Sequence, residues 1–251
     1  MIHPRAALGL WLLGLLLALL LAPLLGRLEG SGLLGIMLLE VICFALPPIA
    51  YAATLGPPAT VLRLGPARPR ALLGAALVGA CAWLPLVTLL MPLQQWLAPM
   101  PADLARQLAD APRGPLLPVL VAVAVTPALC EELLCRGALL FSLRSRMSGP
   151  VAVVVSAALF ALLHLSPYRL LPTFLLGILF GAVSLRAGSI VPGMLAHALN
   201  NACVVLASRF EAPDVPAFVV QGVAVGGLTY GLLLTLSSAQ RQRLRPNEKA
   251  R

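Results

Sequence analysis

Eight apolar runs follow one another along the chain with only short gaps between them, at roughly 6–25, 32–54, 71–91, 116–142, 150–165, 170–187, 189–208 and 216–237. A helix needs about 20 mostly apolar residues to cross the hydrocarbon core of a bilayer, where every backbone N–H and C=O must be satisfied within the spanning structure. The fifth and sixth runs are the short ones by that ruler. With 60% hydrophobic and 11% charged residues over 251 positions, the chain has less than half the charged share of a soluble domain, about 25%, and could not cover a soluble surface. The same composition excludes disorder, which needs low hydrophobicity. The expected fold class is all-α: a polytopic membrane protein of about eight transmembrane helices in one bundle. The first run follows Arg5, but its apolar core is longer than that of a signal peptide and Pro23 spoils cleavage after Ala22. It is expected to stay as a helix.

The net charge of +9 belongs to the gaps and is no nucleic-acid footprint. With the N-terminus in the cytoplasm, the inner segments hold Arg5, then Arg63, Arg68 and Arg70, then Arg144 and Arg146, then Arg186. The tail adds Arg241, Arg243, Arg245, Lys249 and Arg251 against Glu248. The outer segments hold only Arg27, Arg106, Arg113, Arg169 and Arg209, set against Glu29, Asp103, Asp110, Glu211 and Asp214. Lys and Arg concentrate on the cytoplasmic side of multispanning proteins, so both termini are expected in the cytoplasm.

Three parts follow from this layout: residues 1–115 with helices one to three and an outer loop, 116–208 with helices four to seven, and 209–251 with the final helix and a basic cytoplasmic tail. In the outer loop, Leu97, Leu104, Ala105 and Leu108 alternate with Asp103, Arg106, Gln107 and Asp110, as in a short amphipathic helix on the membrane surface. Trp96 would suit the headgroup boundary. A Pro-rich irregular loop is the alternative, from Pro99, Pro101, Pro112 and Pro115. The cysteines Cys43, Cys81, Cys130, Cys135 and Cys203 all fall inside apolar runs without C-x-x-C spacing, which reads as buried free thiols. No internal repeat of the kind many transporters carry is visible.

Few ionisable groups remain inside the runs: Glu40, Glu131, Glu132, Arg136, His164 and His197. A charge at mid-membrane costs about 2.5–3.5 kcal/mol on insertion scales, so each is a functional candidate. Glu132 and Arg136 stand four apart with the acid N-terminal, the better order for a helical ion pair, and such a pair can be purely architectural. Glu131 sits about 100° round the helix and faces Cys135 at i+4, with no cation. That leaves Glu131 as the acid free to act as general base or acid. Phe160 with His164, and His197 with Asn201, are i, i+4 pairs on single helix faces. A lone membrane histidine is often a hydrogen-bonding packing residue; here the combination carries the reading. At about 1.5 Å per residue, Glu131 lies about 18 Å from the cytoplasmic end of its run, His164 about 21 Å, His197 about 11 Å and Asn201 about 18 Å. This shared level lies in the mid to cytoplasmic part of the bilayer, so cleavage would come from the cytoplasmic side.

Two chemistries fit such a cluster. Glu131, His164 and His197 could bind a divalent metal, zinc being natural for nitrogen and oxygen ligands, and the metal would activate water. Without metal, Glu131 would take a proton from a water positioned by His164, while His197 and Asn201 donate to the developing oxyanion. No H-E-x-x-H signature is present. The metal-free version is favoured here and no cofactor is assigned.

At these residues the chain resembles the CPBP family of intramembrane proteases, the CAAX-protease and bacteriocin-processing group, also called abortive-infection proteins. The family's E-E-x-x-x-R motif matches Glu131, Glu132 and Arg136; F-x-x-x-H matches Phe160 and His164; H-x-x-x-N/D matches His197 and Asn201. Pro172, Phe174, Gly177 and Gly181 resemble the small-residue segment between its two histidine motifs. The resemblance covers about residues 116–208. It implies an intramembrane endopeptidase with Glu131 as base or metal-proximal group, His164, His197 and Asn201 completing the site, Glu132 paired with Arg136, and Phe160 in support. Eukaryotic members remove the last three residues of prenylated CAAX proteins, and bacterial relatives are linked to bacteriocin immunity, processing and surface-protein sorting. The implied partner is a membrane-embedded or lipid-anchored protein or peptide in the bilayer, cut near its C-terminus in the CAAX type, and the implied location is the bacterial cytoplasmic membrane. The alternatives are a non-catalytic immunity or accessory protein on the same scaffold, or a proton-coupled transporter with Glu40, Glu131 and the histidines as relay. A protease leaves Glu40, near the outer end of the second run, without a role; its change to Gln would spare a protease and cripple a relay.

Glu132→Gln and Arg136→Ala are expected to lower the amount of folded protein, since breaking a buried pair costs about 3–5 kcal/mol. Glu131→Gln should abolish activity at normal abundance. Immunoblots of membranes from the three variants check this, and equal amounts with equal loss of activity would contradict the division of roles.

Overall fold

The computed structural model describes residues 1–25, 32–103, 114–210 and 216–243, with side chains as far as Thr235. Arg27, Glu29, the Leu104–Asp110 part of the expected amphipathic helix, Pro112, Arg113, Glu211, Asp214 and the tail from Arg245 lie outside the described residues, as do the side chains of Arg241 and Arg243. Among the described residues there are eight long helices and no strands: α1 Pro4–Leu25, α2 Gly32–Ala53, α3 Pro69–Leu97, α4 Leu116–Leu143, α5 Gly149–Leu163, α6 Leu170–Ala187, α7 Val191–Ala207 and α8 Ala217–Arg243. Six stretches are long and apolar enough to cross a membrane: α1, α2, α3, α4, α8 and α6 with the Pro167–Arg169 turn before it. At 15 and 17 residues, α5 and α7 are shorter. The short helices are thus the fifth and seventh, where the sequence suggested the fifth and sixth. Gly188 causes the shift: its left-handed φ of 67° ends α6, and α7 begins only at Val191, with Pro192 pre-set for a first turn.

Proline shapes three of the helices. The backbone widens to π-helical turns at Val41–Ala45, Leu86–Leu90 and Val121–Val125, and each is followed two residues on by Pro47, Pro92 or Pro127. A proline brings no N–H and its ring crowds the carbonyl four residues back, so the helix opens ahead of it. Two hydroxyls also donate to carbonyls at or beside these turns, Thr126 Oγ1 to Val121 O at 2.8 Å and Thr88 Oγ1 to Leu84 O at 2.8 Å. A fourth wide segment, Leu133–Leu140, follows Glu132 without any proline. In α4, therefore, a regular segment, Thr126–Glu132, is held between two wide ones.

Close pairs show how the helices run. Gly149, Gly181 and Gly177 of α5 and α6 meet Leu185, Val153 and Ala157 in antiparallel order. His197 and Asn201 of α7 meet Glu132 and Val123 of α4, again antiparallel. Gly74 and Gly231 bring α3 and α8 into backbone contact, and Ile190 N donates to Arg63 O at 3.0 Å beside the start of α7. Arg209 Nη1 donates to Gly114 O at 2.7 Å, joining the end of α7 to the approach to α4. One face of the bundle therefore gathers the start of α1, the α2–α3, α4–α5 and α6–α7 connections and the end of α8. Arg5, Arg63, Arg68, Arg70, Arg144, Arg146 and Arg186 lie on or near that face.

Two apolar clusters fill the interior. One joins α1, α2, α4 and α5 around Leu134, Leu139, Leu140 and Phe160; the smaller joins α3, α6 and α7 around Val78, Phe180 and Ala196. Gly79 lets α3 approach α7 beside His197, for a Cβ there would overlap the backbone carbonyl of Ala196. Gly79→Ala should cost about 1–3 kcal/mol by overpacking and lower the thermal midpoint in detergent. Gly222, whose Cβ would meet nothing within 4 Å, is the control; equal midpoints for Gly79→Ala and Gly222→Ala would show that this crossing does not limit stability.

Candidate active site

The site begins with a charge that must be neutralised inside the bundle. Arg136 is fully buried, and its Nη1 lies 2.8 Å from Glu132 Oε1, one turn earlier on the same helix. Nη2 donates to Gly177 O at 3.0 Å, and the guanidinium lies over the Phe160 ring at 4.5 Å, with Phe180 at 5.9 Å. Gly177 is small for a reason: a Cβ there would stand 3.0 Å from Ala157 Cα and 3.2 Å from Phe160. Only a bare glycine backbone lets α6 come close enough for its carbonyl to reach the cation.

Glu132 also receives His197. The imidazole Nδ1 is 3.1 Å from Glu132 Oε1, so Nδ1 donates and Nε2 is left to face the site, 3.9 Å from Glu131 Oε2. The His197 ring stacks on Phe180 at 5.0 Å and 20° and meets the edge of Phe160 at 5.7 Å. His164 follows the same plan from the end of α5. Its Nδ1 is 3.1 Å from Phe160 O; a carbonyl only accepts, so Nδ1 carries the proton and Nε2 of the neutral ring is an acceptor. Just beyond it Leu165 takes a left-handed φ of 48°, a conformation that costs a non-glycine residue about 1 kcal/mol. Gln94 holds the turn from the other side, donating to Pro167 O at 2.9 Å and accepting from Leu171 N at 2.8 Å.

Glu131, His164, His197 and Asn201 line one cavity of about 620 Å3, with Phe160 in its wall. Glu132 and Arg136 do not reach it. Asn201 Nδ2 donates to Val123 O at 3.3 Å, a carbonyl of the wide segment in α4, and its Oδ1 accepts from Asn200 Nδ2 at 3.4 Å. Asn200, buried and also in the cavity wall, was not singled out from the sequence, although two adjacent asparagines in an apolar helix were the available signal. Phe180, a cavity-wall residue that stacks on His197, had no signal beyond being one more apolar residue of α6. Glu40 lines the same cavity. Among the described residues no three His, Cys, Asp or Glu side chains stand close enough to share a metal ion. The five cysteines are unpaired; Cys43, Cys130 and Cys135 are buried and Cys81 and Cys203 half-buried.

The cavity extends from these residues toward one face of the bundle. Its wall takes Trp83, Leu86 and Met91 from the second half of α3, Val123 and Pro127 from the first half of α4, Thr173 and Leu176 from the first half of α6, and Val204 from the end of α7. Every one of these positions lies toward the face opposite the start of α1 and the end of α8. Along the helices the motif residues keep their expected level: Glu131 stands 12 residues, about 18 Å, before the end of α4 at Leu143, and His197 six residues after the start of α7 at Val191.

Residues 113–203 match the family model described as type II CAAX prenyl endopeptidase Rce1-like, in agreement with the CPBP resemblance read from the motifs. No curated protein and no solved structure matches the chain.

The exposed Gln95, at the far end of α3 near the cavity mouth, and the exposed Arg70, at its near end, report the two faces. In a background without the native cysteines, a membrane-impermeant maleimide should label Gln95→Cys in intact cells and Arg70→Cys only after permeabilisation. The reverse pattern would place the cavity mouth in the cytoplasm.

Proposed function

We propose that the protein is a membrane endopeptidase that hydrolyses a peptide bond in a membrane-associated protein or peptide, using water activated by Glu131. The observation that carries this reading is the convergence of Glu131, two imidazoles and Asn201 on one cavity, each imidazole with its Nδ1 already committed. Water held by His164 Nε2 attacks the carbonyl carbon while Glu131 takes its proton. The second N–H of the Asn201 amide donates to the oxygen that becomes negative, with Asn200 fixing the Asn201 oxygen. His197 adds a donor from Nε2 when its ring carries a second proton, which the carboxylates of Glu131 and Glu132 on its two sides would offset. The apolar walls limit water to what the chemistry needs. With the arginine-rich face in the cytoplasm, substrate reaches this site from the outer half of the bilayer.

Membrane peptidomics of cells carrying wild type against Glu131→Gln should reveal peptides cut only by wild type. Purified protein should keep its activity through prolonged chelation, because this reading gives water activation to Glu131 and His164 alone. Loss on chelation with zinc-dependent recovery would replace the water activation described here by metal chemistry, and the absence of any wild-type-specific cut would favour the non-catalytic reading.

A further inference from the structure

Glu40 had no role in the hydrolytic reading of the sequence, yet it stands where two cavities meet. The main cavity and a second one of about 340 Å3 share three residues, Glu40, Glu131 and His164. The second cavity is otherwise apolar, lined by residues such as Leu19, Phe44 and Leu163. Oε2 of Glu40 and Oε2 of Glu131 are both buried without a hydrogen-bond partner among the described residues. Glu40 is the last residue before the wide turn Val41–Ala45 of α2, and among the described residues no cation is paired with it in the way Arg136 is paired with Glu132.

Peptide hydrolysis needs two proton transfers: water must lose one and the departing nitrogen must gain one. Glu131 serves the first. For the second, the cavity offers few donors. Each imidazole already donates from Nδ1 and would have to become cationic to donate from Nε2. Asparagine amides are not acids, and Arg136 is sealed behind Glu132. A carboxyl can donate while neutral, and two carboxyls that share one proton can act as base and acid in one turnover.

We propose, on the basis of the peptidase reading above, that Glu40 is the catalytic acid of the site. Water adds to the carbonyl carbon as its proton passes to Glu131. The C–N bond then breaks as the nitrogen takes the proton of the Glu40 carboxyl and leaves as an amine. Glu131 returns its proton to Glu40 through water in the shared cavity, so that one water is consumed and one carboxylic acid and one amine are formed. The position between the cavities puts the scissile bond at the waist, with substrate extending into both.

Two measurements on the full-length protein in detergent test this. Dicyclohexylcarbodiimide reacts with protonated carboxyls in apolar surroundings, and mass spectrometry should find its adduct on Glu40. A quenched fluorescent peptide built on a cut found by peptidomics, and its analogue with the scissile amide replaced by an ester, then separate acid catalysis from structure. An ester oxygen leaves with far less need of a proton than an amide nitrogen. Glu40→Gln should lose about 100-fold or more on the amide, the range of general acid catalysis, and much less on the ester; Glu40→Asp should recover part of the amide rate. An adduct on Glu131 alone, no adduct on either, or equal losses on amide and ester would overturn the assignment. A wild-type protein that cleaves neither substrate would sink the peptidase reading instead, and the carbodiimide result would then decide by itself whether Glu40 holds the proton.

Discussion

The Glu132–Arg136 pair sets the terms for everything around it. A guanidinium with no exposure needs partners on all sides, since an unpaired charge in an apolar interior costs several kcal/mol, roughly, even after relaxation. The chain supplies a carboxylate one turn back, a glycine carbonyl from α6 and two aromatic faces. Each partner carries a packing consequence. Gly177 must stay bare so that α6 lies close to α5, and Gly193 must stay bare because a Cβ there would overlap Ser184 Oγ and stand 3.0 Å from Glu132 Oε2. The pair also reaches the chemistry, because the same carboxylate oxygen that faces Arg136 accepts the Nδ1 proton of His197. A carboxylate that fixes the tautomer of an imidazole is a recurrent supporting device.

Irregular backbone is tolerated at membrane depth where it is buried in protein or lines a cavity, and the proline-induced wide turns obey that rule. Val121–Val125 leaves Val123 O to accept from Asn201, which ties α7 to α4 at the level of the site. The segment Thr126–Glu132 between the two wide stretches of α4 presents neighbouring acids to different surroundings. Glu132 turns to the cation and Glu131 to the cavity. Adjacent residues on a helix are about 100° apart, so one helix can hold one carboxylate in an ion pair and turn its neighbour to the cavity without any change of residue type.

That separation was legible in the sequence, because only Glu132 has arginine at i+4. So was the assembly of Glu131, His164, His197 and Asn201, carried by ordered motifs in successive apolar runs, and so was the sorting of arginines onto one face. Other features depend on contacts between helices that no local spacing encodes. Nothing in the α6 sequence says that Phe180 stacks on His197 or that the carbonyl of Gly177 meets Arg136. Glu40 was visible as a misplaced charge, but its helix lies far from the motifs in sequence, and only the packing of α2 against α4 brings it to the cavity. The level of Glu131 and His197 was legible by counting residues, whereas the reach of the cavity along the second half of α3 and the first half of α6 was not.

Two runs do not cross fully, and the position of the cavity follows from that. At about 1.5 Å per residue, the 15 residues of α5 and the 17 of α7 reach about 22 and 26 Å, short of a hydrocarbon core of about 30 Å. Both helices start on the arginine-rich face, so both fall short on the other one. The recess is therefore on the far side, and the chain turns back within it through His164 and the strained Leu165. Longer neighbours such as α3 and α4 form its walls. Of the polar groups in the cavity, His164 stands at the end of the short α5, while Glu131, His197 and Asn201 project from within α4 and α7. Under the proposed hydrolysis, the missing turns of α5 and α7 would give a peptide bond and a water molecule the room to meet inside the bundle.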